Sequence, residues 1–292
     1  MNKKFNYYDV VSDINEKFAK KRNFKPSVSV GSNMKELDND PSNFVVMPDW
    51  WEESYGVIGL PFRSIVQVGG PSDSGKTTVA LEAMRRAQEQ GYGVVYLETE
   101  GKTTRNDLIA WGVDPDGVLI DSTVVSEKAW DKSFDMIEAF FERYPKEKLL
   151  FIFDSYGNTV SQRDDEIRLS EDKIQPGAHA KVNRVGVGKL VGKMENQDIA
   201  ALIINYNYAN IGSVGSTMAG GRALFLWSSL IISTIRKRTL YRQVKGEKIK
   251  DGIVAKFAVE KNHLCKNSTL EDGTVIPKEI EVKISADGIE RI

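Results

Sequence analysis

The chain has 292 residues, a net charge of −1 and one cysteine, Cys265, a length that suits one large α/β domain with a small appendage. The near-neutral balance excludes a generally basic nucleic-acid coat, so any such contact must come from local patches. A lone cysteine excludes an intrachain disulfide framework, and neither Met1–Val11 nor Ala223–Ile235 has the length of a signal peptide core or a membrane span.

In chain order, Val11, Ile14 and Phe18 recur at helical spacing and predict a short helix over 8–22, ended by Pro26. Ser27 to Val30 alternates like a strand, Gly31 closes it, and Ser32 to Asn43 reads as a polar connection. Residues 1–34 are too few to fold alone and must pack on the rest of the chain or on a neighbour. From Phe44 on, in a domain taken as 35–292, strands and helices alternate. Apolar Ile65–Val68 is followed by Gly70-Pro71-Ser72-Asp73-Ser74-Gly75-Lys76-Thr77, which fits G-x-x-x-x-G-K-[ST], and then by a helix from Thr78 to Gln90. Strand, glycine loop and helix together make a phosphate-binding loop: the backbone turns its N–H groups inward, the helix N-terminus adds positive potential, Lys76 reaches the outer phosphates and Thr77 offers a hydroxyl to Mg²⁺. Residues 70–78 are therefore expected to hold a nucleoside triphosphate.

Val94–Leu97 predicts the next strand, ending at Glu98-Thr99-Glu100, with a helix over Asn106–Trp111 and a strand over Val118–Asp121. Trp130, Phe134, Ile137 and Phe141 mark a helix by their rhythm, and Leu149–Asp154 is an apolar run ending in an acid, as in a central parallel strand. A polar segment from Ser161 to Pro176 leads into a helix carrying Val182, Val185, Leu190, Val191 and Met194. Ile199–Asn205 and the run Ala223–Ile235 read as buried strands. The pattern is α/β: a mostly parallel twisted sheet with helices on both faces, finishing in antiparallel strands.

Asp154 ends its strand where doubly wound sheets place ligand-facing groups, and a carboxylate there suits Mg²⁺. Glu100 is the candidate for orienting or deprotonating a water, with Glu98 its competitor on the same strand face. The small-residue stretch over 207–221 suits a loop that orders on a sugar-phosphate backbone, or a plain surface loop. Arg236, Lys237, Arg238, Arg242, Lys245, Lys248 and Lys250 have only Glu247 among them, which fits duplex phosphate contacts or a solvated hairpin.

Gly-Gly-Pro-Ser-Asp-Ser-Gly-Lys-Thr-Thr (69–78), Tyr-Leu-Glu-Thr-Glu (96–100), Trp-Gly-Val-Asp (111–114), Phe-Ile-Phe-Asp-Ser (151–155), Ile-Ile-Asn-Tyr (203–206), Gly-Gly-Arg-Ala-Leu (220–224) and Val-Glu-Lys-Asn-His (259–263) follow one another in an order that resembles the RecA family of recombinases over about 8–292, including phage members of the UvsX type. The resemblance implies a RecA-like ATPase core, an N-terminal helix–strand arm that packs on the adjacent subunit, ATP with Mg²⁺, and Glu100 as catalytic carboxylate. It also implies a DNA-binding loop over about 161–177, with Arg163 and Arg168. A second, over 207–221, holds Asn210, Ile211, Gly212, Ser213, Gly220 and Gly221, with Arg222 beside it. Tyr206 stands where the family has a glutamine sensor, and Asn205 or Asn207 is a possible substitute. Lys261 and His263 stand where two lysines reach the neighbour's phosphates, and Asp107 where a tyrosine stacks on the base.

The implied function is a helical filament on single-stranded DNA that pairs with homologous duplex DNA, with single-strand-binding or mediator proteins as further partners and no membrane. Its expected setting is the cytoplasm of a bacterial or phage-infected cell. The alternatives are a RecA-like hexameric motor or helicase and an ATP-binding filament paralogue without strand exchange.

Overall fold

A computed structural model describes residues 40–166, 178–209, 216–218, 222–265, 269–270, 275–286 and 288–292. The chain divides into two units, Met1–Asp38 and Asn39–Ile292, and the described residues belong to the second. The arm expected at 1–34, with Val11, Ile14 and Phe18, lies outside them. So do Arg168, Asn210, Ile211, Gly212, Ser213, Gly220 and Gly221.

The elements run β1 (Phe44–Val46), α1 (Asp49–Tyr55), β2 (Gly59–Pro61), β3 (Ser64–Gly69), α2 (Lys76–Glu89), β4 (Gly93–Glu98), α3 (Arg105–Ala110), β5 (Leu119–Asp121), α4 (Ser126–Arg143), β6 (Leu149–Asp154), α5 (Gln162–Glu166) and α6 (Ala178–Met194). They continue with β7 (Ile199–Asn205), β8 (Asn207–Ala209), β9 (Ser216–Met218), α7 (Arg222–Trp227), β10 (Ser228–Val244), β11 (Glu247–Asn262), β12 (Glu279–Ser285) and β13 (Gly288–Arg291). Nine strands form one sheet in the order β13-β12-β11-β10-β3-β7-β6-β4-β5. From β10 to β5 neighbours are parallel, and from β10 to β13 antiparallel. This is a RecA-like α/β core.

The alternation of side chains along the central strands builds two hydrophobic cores. Val66, Val68, Tyr96, Ile152 and Leu202 face a core shared with α1 and α2. Ile65, Leu97, Phe151, Phe153 and Ile203 face one shared with α4 and α6. Strands covered on both faces become continuous apolar runs, which is why β6 and β7 are legible as central strands. Trp130, Phe134, Ile137 and Phe141 of α4 are all buried. At about 1.5–3 kcal/mol for each such side chain, burial outweighs the tenths of a kcal/mol that separate helix propensities, so packing fixes this helix. In α6 the close approach goes further: a Cβ on Gly186 would lie 2.2 Å from the Trp130 ring, so this position admits only glycine without displacing the tryptophan.

Two expectations are corrected. The run Ala223–Ile235 is not one buried strand: its first part belongs to α7, where only Leu224 is buried while Phe225, Leu226 and Trp227 are exposed, and β10 begins at Ser228. An apolar run without turn residues does not distinguish helix from strand; the neighbours do. Val185 is exposed, and Val187 takes the core position in α6. No helix among the described residues is long and apolar enough to cross a membrane.

Candidate active site

Parallel strands bring their carboxyl ends to one level. Gly69 of β3 is in register with Asn205 of β7, and Glu98 of β4 with Asp154 of β6. The loop 70–75 leaves this edge and ends at Gly75, with φ +93°, as the N-cap of α2. The loop is held from a distant strand. Thr234 of β10 meets Ser74 Oγ at 2.6 Å and donates to the Gly69 carbonyl at 3.3 Å, and Ser74 Oγ lies 2.7 Å from the Pro71 carbonyl. A Cβ on Gly70 would stand 2.4 Å from the Thr234 carbonyl, so the first glycine is required by β10 as well as by the turn. Asp73, at φ +57°, faces Arg236 at 3.7 Å.

Lys76 and Thr77 open α2, with Thr78 behind them, and the first helical turn leaves N–H groups without intrahelical acceptors. Lys76 is buried; its ammonium donates to the Pro71 carbonyl at 2.7 Å and sits 4.5 Å from the centre of the Tyr206 ring. Burial lowers its pKa, against the pull of Asp154 and Glu100. Thr77 Oγ1 donates to Asp154 Oδ2 at 2.8 Å, and the Tyr96 hydroxyl approaches the same oxygen at 3.5 Å. Burial pushes the Asp154 carboxyl up to about 6; the Thr77 hydrogen bond opposes this and the Glu100 charge adds to it. A buried carboxylate next to a hydroxyl, with no hydrogen bond from a cation among the described residues, is a hard-oxygen donor set of the kind Mg²⁺ takes.

The two glutamates separate clearly. Glu98 is buried and spends its carboxylate on the backbone N–H groups of Glu100 at 3.0 Å, Gly101 at 2.7 Å and Lys102 at 3.4 Å, so it shapes the turn after β4. Glu100 accepts from Lys102 Nζ at 2.6 Å, from Asn158 Nδ2 at 3.0 Å and from the Tyr206 hydroxyl. Burial alone would raise its pKa, but the hydrogen bonds from Lys102 and Tyr206 outweigh this and hold it below the usual range. Tyr206 thus touches both Lys76 and Glu100, and its hydroxyl is also hydrogen-bonded to Ser72. Asn205 is occupied otherwise: its Oδ1 accepts from the Tyr206 backbone N–H at 2.9 Å.

The chain matches the RecA N-terminal domain model over residues 14–271. It belongs to the RecA family. It is 27% identical to the RecA protein of Oleidesulfovibrio alaskensis over 233 residues, covering 77% of this chain and 64% of that protein. It is 28% identical to RecA of Mesoplasma florum over 82% of this chain and 67% of the relative, and 28% identical to RecA of Mycoplasma pneumoniae over 74% and 62%. The chain thus spans about two thirds of the length of these curated relatives.

In this RecA-family chain Lys261 and His263 form no hydrogen bond or ion pair to residues 70–78 among the described residues. Lys261 pairs in register with Ile231, and its ammonium donates to the carbonyls of Phe225 at 2.9 Å and Leu226 at 3.2 Å. His263 is exposed, with its backbone N–H on the Ser229 carbonyl. Arg163 lies exposed on α5, and Arg222 exposed at the start of α7. Sequence reasoning missed a groove of about 850 Å³ between α6 and α7, lined by Lys181, Arg184, Arg222, Leu226 and Trp227. Each helix follows one of the segments expected to be a DNA loop, and the groove joins cations to an aromatic ring. Of these residues Arg222 is expected from the resemblance, and the remaining sequence signal is the pair Lys181 and Arg184, three apart on a helix.

The basic segment 236–250 is a hairpin, an antiparallel ribbon that turns at Lys245 and Gly246. Pairing of β3 with β10 ends at Ser233 and pairing of β12 with β11 ends at Gly252, while β10 and β11 stay paired out to Val244 and Glu247. Glu247 is not its only counter-charge: Arg242 pairs with Asp251 at 3.1 Å.

Proposed function

We propose that this chain is an ATP-dependent DNA recombinase that polymerises on single-stranded DNA and promotes homologous pairing and strand exchange. The observation that carries this reading is the convergence of Lys76, Thr77, Asp154, Glu100 and Tyr206 at one sheet edge in a chain of the RecA family. Residues 70–78 would bind ATP, with Lys76 neutralising the outer phosphates. Thr77 and Asp154 would hold Mg²⁺, which when bound supplies charge neutralisation between phosphates. Glu100 would orient the attacking water, and its depressed pKa suits holding and aiming the water better than taking its proton.

Tyr206 would report the state of the phosphates to the segment that follows it, since its backbone leads directly into β8. The groove between α6 and α7, with Arg163, Arg222 and the segments 161–177 and 207–221, would take the single strand through phosphate contacts and stacking on Trp227. The β10–β11 ribbon would gather the duplex. Lys261 and His263 would complete a neighbour's site, and residues 1–34 would join subunits. One experiment tests the reading: ATP turnover with and without single-stranded DNA, followed by joint-molecule formation from homologous substrates. Turnover that does not respond to DNA, or rings instead of filaments by electron microscopy, would overturn it.

A second reading, an ATP-binding filament paralogue without strand exchange, is favoured by the contact of Tyr206 with Glu100, which ties up the carboxylate from the sensor position. Normal DNA-stimulated turnover without joint molecules would select it.

A further inference from the structure

Glu100 is held unevenly. Its Oε1 accepts from Asn158 Nδ2 at 3.0 Å and from the Tyr206 hydroxyl, and the buried Ser155 side chain, beside Asp154, also lowers the carboxyl's pKa through a hydrogen bond. Its Oε2 accepts from Lys102 Nζ at 2.6 Å, but the Lys102 side chain is long, rotatable and 72% exposed against 11% for Glu100, so holding it there costs more side-chain entropy than holding the short Asn158 amide. An ionised carboxylate only accepts hydrogen bonds, so the asparagine must turn its amide N–H₂ to it, and two donors fill the two lone pairs of Oε1. Asn158 is not needed for the turn it sits in. The helical turn Tyr156–Asn158 after β6 is closed by its backbone, Asn158 N–H to the Ser155 carbonyl at 3.2 Å, and the residue itself is exposed.

We propose that Asn158 is a positioning residue for ATP hydrolysis: together with Tyr206 it pins Oε1 of Glu100, fixing the carboxylate plane so that Oε2 is the oxygen offered to the attacking water. Asn158 lies four residues beyond Asp154, so one strand end would serve both the metal and the water-orienting acid. The inference rests on the reading of Glu100 given under Proposed function.

The test measures steady-state ATP turnover on single-stranded DNA for the full chain and for Asn158→Ala, Asn158→Asp, Tyr206→Phe and the double variant Asn158→Ala with Tyr206→Phe. Asn158→Ala is expected to lower kcat by roughly tenfold with KM for ATP within about twofold, a fraction of what a whole acid–base group contributes. Asn158→Asp keeps the size at an exposed position but replaces the donor by a like charge, so it should lower kcat further with the melting temperature unchanged. The double variant should lose more than the product of the single losses, because in each single variant the remaining donor still restrains Oε1 in part. Wild-type kcat in both Asn158 variants, or losses confined to KM, would overturn the positioning role while leaving Glu100 itself intact. An unmodified chain that does not hydrolyse ATP on single-stranded DNA would instead overturn the underlying reading.

Discussion

At the carboxyl edge of β3, β4 and β6, Lys76, Glu98 and Asp154 are buried, and each is tied to a specific backbone or side-chain partner. On the β10–β11 ribbon, Lys237, Arg238, Lys248 and Lys250 stand exposed on the strands and Lys245 on the turn between them, and beyond Ser233 and Gly252 no other strand among the described residues pairs with the ribbon. Both regions are rich in charge, and burial makes the difference. In the first, desolvation moves pKa values and one hydrogen bond decides what a carboxylate can do. In the second, water and salt screen each cation, so only their sum matters. The nucleotide edge should therefore respond to a single atom's chemistry, and the ribbon only to its total charge.

The sharpest test of that contrast is Glu100→Gln, expected to lower kcat by roughly 10²–10⁴-fold with ATP and DNA binding retained. Glu98→Gln, two residues away, should instead loosen the turn over 100–102, because its carboxylate serves backbone donors. Equal kinetic defects in the two variants would erase the distinction drawn between them.

Lys76→Ala should weaken ATP binding by about 2–5 kcal/mol, roughly 30- to several-thousandfold, read by titration with a fluorescent nucleotide. The far-ultraviolet spectrum should be unchanged, since alanine keeps the first turn of α2 and the lost ammonium contacts are with the Pro71 carbonyl and the Tyr206 ring.

Asp154→Asn should separate function from stability. The carboxyl is raised to about 6 in the folded chain, above its unfolded value, so the stability associated with its protonated form is complete below about pH 4 and lost as pH rises through 6. At pH 7.5 without Mg²⁺ and nucleotide the ionised group is therefore a liability of about 1–3 kcal/mol. The variant should melt a few degrees higher there, lose that advantage below pH 5, and fail to hydrolyse ATP. Equal melting temperatures at both pH values would mean that Asp154 is better solvated than its burial implies.

The smallest effects belong to the ribbon. Neutralising Arg238, Lys248 or Lys250 to glutamine one at a time should weaken duplex binding slightly and by similar amounts. Each cation withdrawn from a phosphate should lower the slope of log affinity against log salt by about one. One position dominating the others would show that the ribbon holds a built site after all.

The phosphate loop and the central strands are legible in the sequence because local rules dictate both: a glycine spacing that only one backbone path satisfies, and apolar runs that only a doubly covered strand explains. Asp154 is legible for the same reason, as the acid at the end of such a run. Glu100 can be chosen over Glu98 only through family resemblance, because period-two alternation puts both on one face. The turn after β4 separates them, by folding the N–H groups of residues 100–102 back onto Glu98. The α7 helix is not legible as a helix because an apolar run has no period of its own, and α7 leaves Phe225, Leu226 and Trp227 in solvent.

By itself, then, the sequence determined a RecA-like nucleotide-binding core and the residues of its loop. Tertiary structure alone decided that Thr234, 160 residues beyond Ser74, holds that loop shut, that Tyr206 lies between Lys76 and Glu100, and that Asn158 grips Glu100. The physical reason is that a motif encodes contacts made within one turn of chain. Contacts between the ends of different strands depend on strand order, and β10, β7 and β6 reach the β3 loop only once the sheet is assembled.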